Sequence, residues 1–339
     1  MGRCKARPVP IILAAQTKRA GGTALDLLAS PLNVRILQAL QEGDLSPLDL
    51  RRRVGTPPES TMRVYTRALT ELGVLERRRH ETFPPTVEYS LTPAGSALLK
   101  MSAVLQAWLD LSPEGPMPLG GPASKSVTRA LIEGWSTNIV RAVAARPYSL
   151  TELSKINVHT SYPALDRRLG AMRLVNLVEA HPGQGRGTPY RATEWLRRAI
   201  SPLVAATTWE RKYLPAKSAR IGRLDIEAAF LLAVPLLELP SSLRGRVRLA
   251  VEVQGGTTPN LAGTTMEIES GAVTACSVRL EGQADARVFG SAMAWLRQVN
   301  GAPGLHLELG GNQDLGKTVI EALRAAGLSS AEGNGNSPS

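Results

Sequence analysis

The spacing of apolar residues between Ser46 and Leu91 predicts two short helices followed by two strands. The segment Gly55 to Pro58 provides a turn between the helices, and Gly73 can end the second one. In that second helix, Glu59 to Leu72, the residues expected to face a core recur every three or four positions and are Met62, Thr66, Leu69 and Leu72. The stretches "VLERRRH" and "VEYSL" then predict a β-hairpin whose loop is His80 to Thr86.

Two helices, a turn and a charged hairpin form the element order of a winged helix-turn-helix, whose second helix enters the major groove of DNA. The exposed side of that helix would then reach bases and phosphates, and the arginines of the first strand would lie beside the phosphate backbone. The candidate DNA-binding residues here are Ser60, Thr61, Arg63, Arg67, Arg77, Arg78 and Arg79. The alternative is a solvated surface, because a basic amphipathic helix before a charged strand is a common surface feature.

Four stretches of this region closely resemble the HxlR branch of the MarR-like transcription regulators: "RILQALQEGDLSPLDLRRRV", "LTELGVLERR", "PPTVEYSLTPAGSALL" and "LQAWLD". The resemblance covers roughly Leu27 to Asp110. It implies that Glu59 to Leu72 is the recognition helix and that Pro84 and Pro85 lie in the wing. It also implies that subunits pair through the long helix after the hairpin, so a homodimer is a possible assembly. One departure is that Leu32 and Asn33 stand where the family usually has a Trp.

The pattern recurs after a linker at residues 112–126 that is rich in Pro, Gly and Ser. "NIVRAVAARPYSLTELSKI" lies over "NVRILQALQEGDLSPLDLRRRV" with Leu153 over Leu48, and "LDRRLGAMRLVNLVEA" lies over "YTRALTELGVLERR". "TPYRATEWLRRAISPL" lies over "VEYSLTPAGSALLKM". We therefore expect a second winged helix at residues 127–214, with a recognition helix that begins near His159. Its candidate DNA-binding residues are His159, Thr160, Ser161, Arg167, Arg168, Arg186 and Arg191.

Tandem modules have a geometric consequence for the DNA site. Winged helices of this kind act as symmetric dimers on half-sites about one helical turn, roughly 10 base pairs, apart. One chain with two modules can supply both halves. Because the exposed residues of the two predicted recognition helices differ, a monomer would read a non-palindromic site, whereas a dimer that uses one module per subunit would read an inverted repeat.

Residues 221–328 have a different pattern, which predicts an α+β domain. "LDIEAAFLLAVPLLEL" predicts a helix, and "GRVRLAVEVQGG" and "TTMEIESGAVTACSVRLEG" predict three strands, the last two joined at Ser270 and Gly271. "ARVFGSAMAWLRQVNG" predicts a helix with Phe289, Ala292, Met293 and Leu296 on one face. A strand containing Leu305, Leu307 and Leu309 and a final helix complete the pattern.

The stretches "GAVTACSVRLEGQADARVFGSAMAWLRQVNG" and "LELGGNQDLGKTVIEALRAAG" resemble sterol carrier protein-like domains. In that family a sheet and its helices enclose an apolar tunnel for lipids or other hydrophobic molecules. The resemblance implies a small hydrophobic ligand, for which the candidate residues are Phe230, Leu237, Met266, Phe289, Met293 and Trp295. The alternative for each of them is an ordinary place in the core.

Gly311 to Thr318, "GNQDLGKT", fits the pattern of a phosphate-binding loop. We interpret it as the last turn of the carrier-like fold instead. A phosphate-loop domain needs further parallel strands and an acidic residue to help hold Mg²⁺, and only 21 residues follow Thr318.

The net charge of +11 is uneven along the chain. Residues 1–110 carry 15 Lys and Arg against 10 Asp and Glu, residues 111–220 carry 16 against 7, and residues 221–339 carry 9 against 12. This distribution predicts that the first two thirds bind a polyanion and that the last third has a different task. Together with the winged-helix pattern, it makes double-stranded DNA the expected partner. The two cysteines, Cys4 and Cys276, argue against a disulfide framework or a structural zinc site.

The predicted fold class is multidomain, with two α+β winged helix-turn-helix domains followed by an α+β sterol carrier protein-like domain. The predicted regions are a basic arm at 1–22, the first module at 23–111, the linker, the second module, the carrier-like domain and a disordered tail at 329–339. We expect a cytoplasmic, ligand-controlled DNA-binding regulator, with no cofactor, metal or membrane association. Some methyltransferases use winged helices for dimerisation, but no catalytic set supports an enzyme. The remaining alternative is a carrier or adaptor of hydrophobic ligands whose winged helices contact protein.

Overall fold

The computed structural model describes residues 19–81, 83, 85–182, 187–253 and 260–328. Most of the predicted basic arm, Arg186 of the second predicted wing and the predicted tail lie outside the described residues. No helix of the described part is long and apolar enough to cross a bilayer. Buried residues from the first module to the last helix belong to one continuous hydrophobic cluster.

The first module follows the predicted order of elements. Its helices are α1 (Gly22–Leu28), α2 (Pro31–Ala39), α3 (Pro47–Arg53), α4 (Glu59–Glu71) and α5 (Pro93–Asp110), with the hairpin strands β1 (Leu75–His80) and β2 (Thr86–Leu91) between α4 and α5. The Ser46 hydroxyl accepts the backbone N–H of Asp49 at 3.1 Å and caps α3. In α4, Met62, Thr66 and Leu69 are buried and the opposite side is exposed.

Residues 122–213 repeat this order. The elements are α6 (Pro122–Ser136), α7 (Ile139–Ala145), β3 (Tyr148–Ser149), α8 (Leu150–Ile156), α9 (Tyr162–Leu174), β4 (Val178–Ala180), β5 (Pro189–Ala192), α10 (Glu194–Arg198) and α11 (Ile200–Tyr213). Because α6 already begins at Pro122, the linker is shorter than the predicted 112–126. The break between α10 and α11 falls where Pro202 has no N–H to donate to the carbonyl of Arg198.

The same hydrogen bonds fix the start of the helix after the hairpin in both regions. The Thr92 hydroxyl lies 3.0 Å from the carbonyl oxygen of Val74 and accepts the N–H of Gly95 at 3.1 Å. The Thr193 hydroxyl repeats both contacts, with the carbonyl of Leu177 at 3.0 Å and the N–H of Leu196 at 3.1 Å. Two distant segments therefore share a local geometry as well as an order of elements.

Burial corrects the sequence overlay of the two regions. In α9 the buried residues are Leu165, Leu169 and Met172, which repeat the four-then-three spacing of the buried side of α4. Leu165 therefore matches Met62, and Leu169 matches Thr66. Likewise the fully buried Leu153 matches the fully buried Leu50, because Leu48 is 52% exposed.

The long helix of the first module packs against its counterpart in the second. Trp108 Nε1 donates to the carbonyl of Trp195, and Trp209 Nε1 donates to the carbonyl of Ala94, both at 2.9 Å. Trp209 follows Trp108 by 101 residues, and Trp195 follows Ala94 by the same number. Each bond therefore becomes the other when the two segments exchange places, as an approximate two-fold axis between α5 and α10–α11 requires. The Trp108 and Trp195 rings stack with centroids 5.0 Å apart. We call these contacts the tryptophan interface.

The C-terminal region contains a mixed five-stranded sheet flanked by helices. Its elements are α12 (Arg223–Ala233), β6 (Gly245–Val253), β7 (Asn260–Glu269), β8 (Ala272–Ser277), β9 (Ala286–Ser291), α13 (Ala292–Val299), β10 (Glu308–Gly311) and α14 (Gln313–Leu328). The strand order is β10-β9-β6-β7-β8, and only the β6–β9 pair is parallel. The turn between β7 and β8 falls at Ser270 and Gly271, as predicted.

Two further expectations are resolved in this region. The helix predicted from Ala286 was wrong in its first six residues, which form β9 between β6 and β10, so Phe289 lies in a strand. Pairing on both sides of β9 overrides the local helical pattern. In the "GNQDLGKT" motif, α14 begins at Gln313, and Asn312 Oδ1 accepts the N–H of Leu315 at 3.1 Å. A capped helix occupies the place where a phosphate-binding loop would need free backbone.

Candidate nucleic-acid interface and apolar cavity

The exposed side of α4 carries two arginines that lie one helical turn apart. The Arg63 side chain is 77% exposed and contacts Glu59 at 2.5 Å, and Arg67 contacts Glu71 at 2.7 Å. The hydrogen bond to Glu71 and its charge raise the pKa of Arg67. Such exposed pairs are weak, so phosphate groups can compete for both guanidinium groups. Ser60 is also exposed on this helix, and Thr61 is half-buried.

The β1–β2 hairpin adds three cationic side chains beside α4. Arg78 pairs with Glu76 at 2.9 Å and lies 3.5 Å from Asp44. The hydrogen bond to Glu76, followed by its charge, raises the pKa of Arg78. Arg77 and Arg79 are exposed, and neither has an ion-pair partner among the described residues. The alternation of a β-strand therefore separates Arg78 from the other two arginines.

The predicted residues of the second recognition helix are more scattered. His159, Thr160 and Ser161 precede α9, which begins at Tyr162 rather than near His159. Arg167 is exposed, but the prediction of Arg168 as an outward residue was wrong, because its side chain is only 13% exposed and points toward Glu133 on α6 at 3.9 Å. Arg191 is on β5 and pairs with Glu179 at 2.8 Å.

In the corrected overlay, the exposed side of α9 differs chemically from the exposed side of α4. Asp166 of α9 stands at the position of Arg63, and Gly170 stands at the position of Arg67. Near this surface Val158 is 75% exposed, and Ile156 and Tyr162 are about half exposed. The surface around α9 thus replaces two cations with an anion, a glycine and apolar groups.

An apolar cavity of about 110 Å³ lies where the second module meets the C-terminal region. Helices α6, α11, α12 and α13 and strand β6 supply its walls. Phe230 and Trp295, both ligand candidates from the sequence, line it with their rings edge to face and centroids 5.2 Å apart. The Trp135 indole, which the sequence analysis missed, also lines it, and its Nε1 has no hydrogen-bond partner among the described residues.

The other four ligand candidates lie away from the cavity walls. Met266 is fully buried in β7, and Leu237 is half-buried after the α12 segment. Phe289 is half-buried in β9, and Met293 is 39% exposed on α13. The structure therefore brings together two of the six predicted residues. No group of His, Cys, Asp and Glu side chains that could hold a metal ion occurs in the described part of the chain.

Comparison with known proteins assigns the first module. The HxlR-like helix-turn-helix family matches residues 27–114. An uncharacterised HTH-type transcriptional regulator of Escherichia coli K12, YtfH, is 39% identical over 85 residues, which make up 25% of this chain and 68% of YtfH. The chain belongs to the HxlR-like helix-turn-helix family. A second uncharacterised HTH-type transcriptional regulator, from Methanothermobacter thermautotrophicus, is 34% identical over 76 residues, 22% of this chain and 56% of that relative.

One solved structure is also distantly similar to part of this chain. The solution structure of a conserved hypothetical protein from Thermus thermophilus, titled as possibly a sterol carrier protein, is 18% identical with a TM-score of 0.24. The match covers 31% of this chain and 89% of that protein. At this TM-score the likeness assigns neither a fold nor a ligand to the C-terminal region.

Proposed function

We propose that this HxlR-family protein is a transcriptional regulator that binds double-stranded DNA through α4 and the β1–β2 hairpin. The observation that carries the proposal is the exposed pair Arg63 and Arg67 on the helix that corresponds to the recognition helix of the family. Arg77 and Arg79 stand beside that helix without carboxylate partners among the described residues. Both relatives named above are called transcriptional regulators.

We further propose that residues 122–214 are a second winged helix and that the chain pairs its own two modules. The repeated threonine caps and the tryptophan interface support this reading, since α5 is the helix through which subunits of the family would pair. With Asp166 and Gly170 in place of the two arginines, the second module contributes less to DNA affinity than the first. The expected operator is asymmetric.

Footprinting on DNA upstream of the protein's own and neighbouring genes tests both proposals. We expect a salt-sensitive, specific complex with one chain per site and one strongly protected half. A perfect inverted repeat occupied by two chains would refute the internal pairing. Absence of any preferred fragment, even at low salt, would refute the regulator itself.

We also propose that a small hydrophobic ligand controls DNA binding from the cavity. Helix α11 connects the two sites: Leu203 and Thr207 line the cavity, and Trp209 holds the tryptophan interface two residues further along. A ligand that prefers one position of α11 therefore alters the relative placement of α4 and α9, and DNA must alter the ligand affinity by the same factor.

A second candidate function is an adaptor or carrier whose second module contacts protein. The exposed Ile156, Val158 and Tyr162 favour it, because apolar side chains at that position suit a protein surface better than phosphates. The two functions differ in footprint: an adaptor would leave the DNA half facing α9 unprotected, and replacement of Val158 by Ser would not change DNA affinity.

A further inference from the structure

We propose that the outer side of the C-terminal sheet binds the phosphate group of a small molecule through Arg246, Arg248 and Arg287. We call these three residues the arginine cluster. The cluster shares no residue with the lining of the apolar cavity or with the residues proposed to contact DNA. The inference therefore goes beyond the proposed function and does not depend on it.

Strand register brings the three arginines to one side of the sheet. Val247 and Leu249 of β6 are fully buried. Because side chains alternate along a strand, Arg246 and Arg248 lie on the side of β6 that faces away from the core. Strand β9 runs parallel to β6, and its Arg287 pairs in register with Arg248. Paired residues of neighbouring strands point to the same side of a sheet, so Arg287 joins the other two.

The loop between β8 and β9 holds two of the guanidinium groups beside the same glycine. Arg248 Nη2 donates to the carbonyl of Gly282. Arg246 Nη1 and Nη2 each lie 3.4 Å from the point where a Cβ of residue 282 would stand. Burial lowers the pKa of Arg248, and the positive charges of Arg287 and Arg246 lower it further, as expected for cations at short range.

The arginine cluster has no carboxylate partner in the described part of the chain. Arg223 of the same region pairs with Glu227 at 3.5 Å, whereas none of the three cluster arginines has an ion-pair partner there. Glu267 lies opposite Arg246 in register without forming an ion pair, and an Asp285 oxygen accepts the Arg246 backbone N–H at 2.7 Å. Three like charges held together without a counterion are unfavourable, so a bound anion relieves their repulsion.

Access and charge define the ligand. Arg287 is exposed, Arg246 and Arg248 are half-buried, and Arg246 also lines an open groove of about 660 Å³. The lining of that groove contains Glu267 and Asp285, so the place for an anion is the Arg248 and Arg287 end of the cluster. Guanidinium groups bind oxyanions through two parallel N–H donors, and several positive charges favour a dianion. The preferred ligand is therefore a phosphate group rather than a single carboxylate.

Titration of the full chain with inorganic phosphate tests the site directly. Arginine Nε–Cζ signals are followed by carbon-detected NMR at about pH 8, where phosphate is mainly a dianion. Potassium chloride at equal ionic strength is the reference, because it screens charges without offering an oxyanion. We expect the signals of Arg248 and Arg287, assigned through their variants, to shift in a saturable way with phosphate and not with chloride.

Three variants make the titration specific. Arg287→Gln removes an exposed charge of the cluster, so phosphate binding read from the Arg248 signal should weaken about ten-fold or more. Arg248→Gln should have the same effect when binding is read from Arg287. Arg297→Gln is the matched control, because Arg297 is exposed on α13 in the same region but lies outside the cluster. It should leave phosphate affinity within about two-fold of the wild type.

The outcomes distinguish a phosphate site from an ordinary charged surface. Absence of a saturable shift, an equal response to chloride, or phosphate affinity that survives Arg287→Gln in a folded protein would overturn the inference. Loss of DNA affinity in Arg287→Gln, with no phosphate binding by the wild type, would also overturn it, because the cluster would then contact the DNA backbone. A phosphate titration that depends on the cluster would support it even if the protein bound no DNA, in which case only the regulator proposal would fall.

Discussion

Replacement of Arg63 by Ala gives the sharpest test of the DNA-binding proposal. The side chain is 77% exposed and its only ion-pair partner in the described structure is Glu59, one turn earlier on the same helix. An exposed pair of this kind contributes about 0.3–0.5 kcal/mol, so the variant should unfold within about 0.5 kcal/mol of the wild type. In DNA binding, loss of a base-edge or phosphate contact costs about 1–3 kcal/mol, which is roughly 5- to 150-fold in affinity.

Fluorescence anisotropy with a labelled operator, measured from about 50 to 300 mM salt, separates the two kinds of contact. If Arg63 meets a phosphate, the slope of log K against log salt falls by about 0.9, whereas loss of a base contact relaxes sequence preference at an unchanged slope. Asp166→Ala at the equivalent position of α9 is the matched control, and removal of its negative charge should leave affinity unchanged or raise it. A folded Arg63→Ala protein with wild-type affinity, slope and preference would refute the assignment of α4 as the reading helix.

Two further predictions concern stability. Trp209→Phe removes the donor to the buried carbonyl of Ala94 and should lower the free energy of unfolding by about 1–3 kcal/mol in urea titrations, whereas a loss below about 0.3 kcal/mol would argue that the tryptophan interface adds little. The backbone hydrogen bond at the start of α8, followed by the side-chain bonds there, lowers the pKa of Glu152, so its contribution is fully present above the ordinary value near 4.5 and is lost as pH falls through the lowered native value. The stability difference between wild type and Glu152→Gln should therefore shrink on acidification below about pH 4.5, and a difference that is constant or grows there would contradict this account.

Local signals were sufficient for the first module. The Ser46 cap, the buried spacing of α4 and the glycine after it are interactions within a few residues, and each predicted element lies within about two residues of its place in the structure. Sequence identity with known family members then identified this region as an HxlR-like helix-turn-helix domain.

The register of α9 was beyond local reasoning. Leu165 and Leu169 of α9 are four residues apart in the sequence. Apolar or partly apolar residues of α4 show the same spacing in more than one place, so the sequence allows two alignments of α9 with α4. Only burial distinguishes the alignments, because Leu174 is 75% exposed at the end of α9, where a continuous apolar stripe would have buried it. The consequence for function is large, since the correct register exchanges Arg63 for Asp166.

The errors in the C-terminal region have a nonlocal cause. Residues 286–291 form a strand because β6 and β10 pair with them from distant parts of the chain, and no helical or strand period in six residues could reveal this. The cavity presents the same problem on a larger scale. Trp135 and Trp295 are 160 residues apart in sequence and meet only through tertiary packing.

The covalent connection across the tryptophan interface changes how the protein responds to dilution. The connection from α5 to α6 is held against α5, where Gln106 accepts the N–H of Leu119 at 2.7 Å and donates to the carbonyl of Met117 at 3.1 Å. Two halves joined in this way meet at an effective concentration in the millimolar range or above, far beyond the level of any regulator in a cell. Their pairing therefore does not weaken when few copies are present.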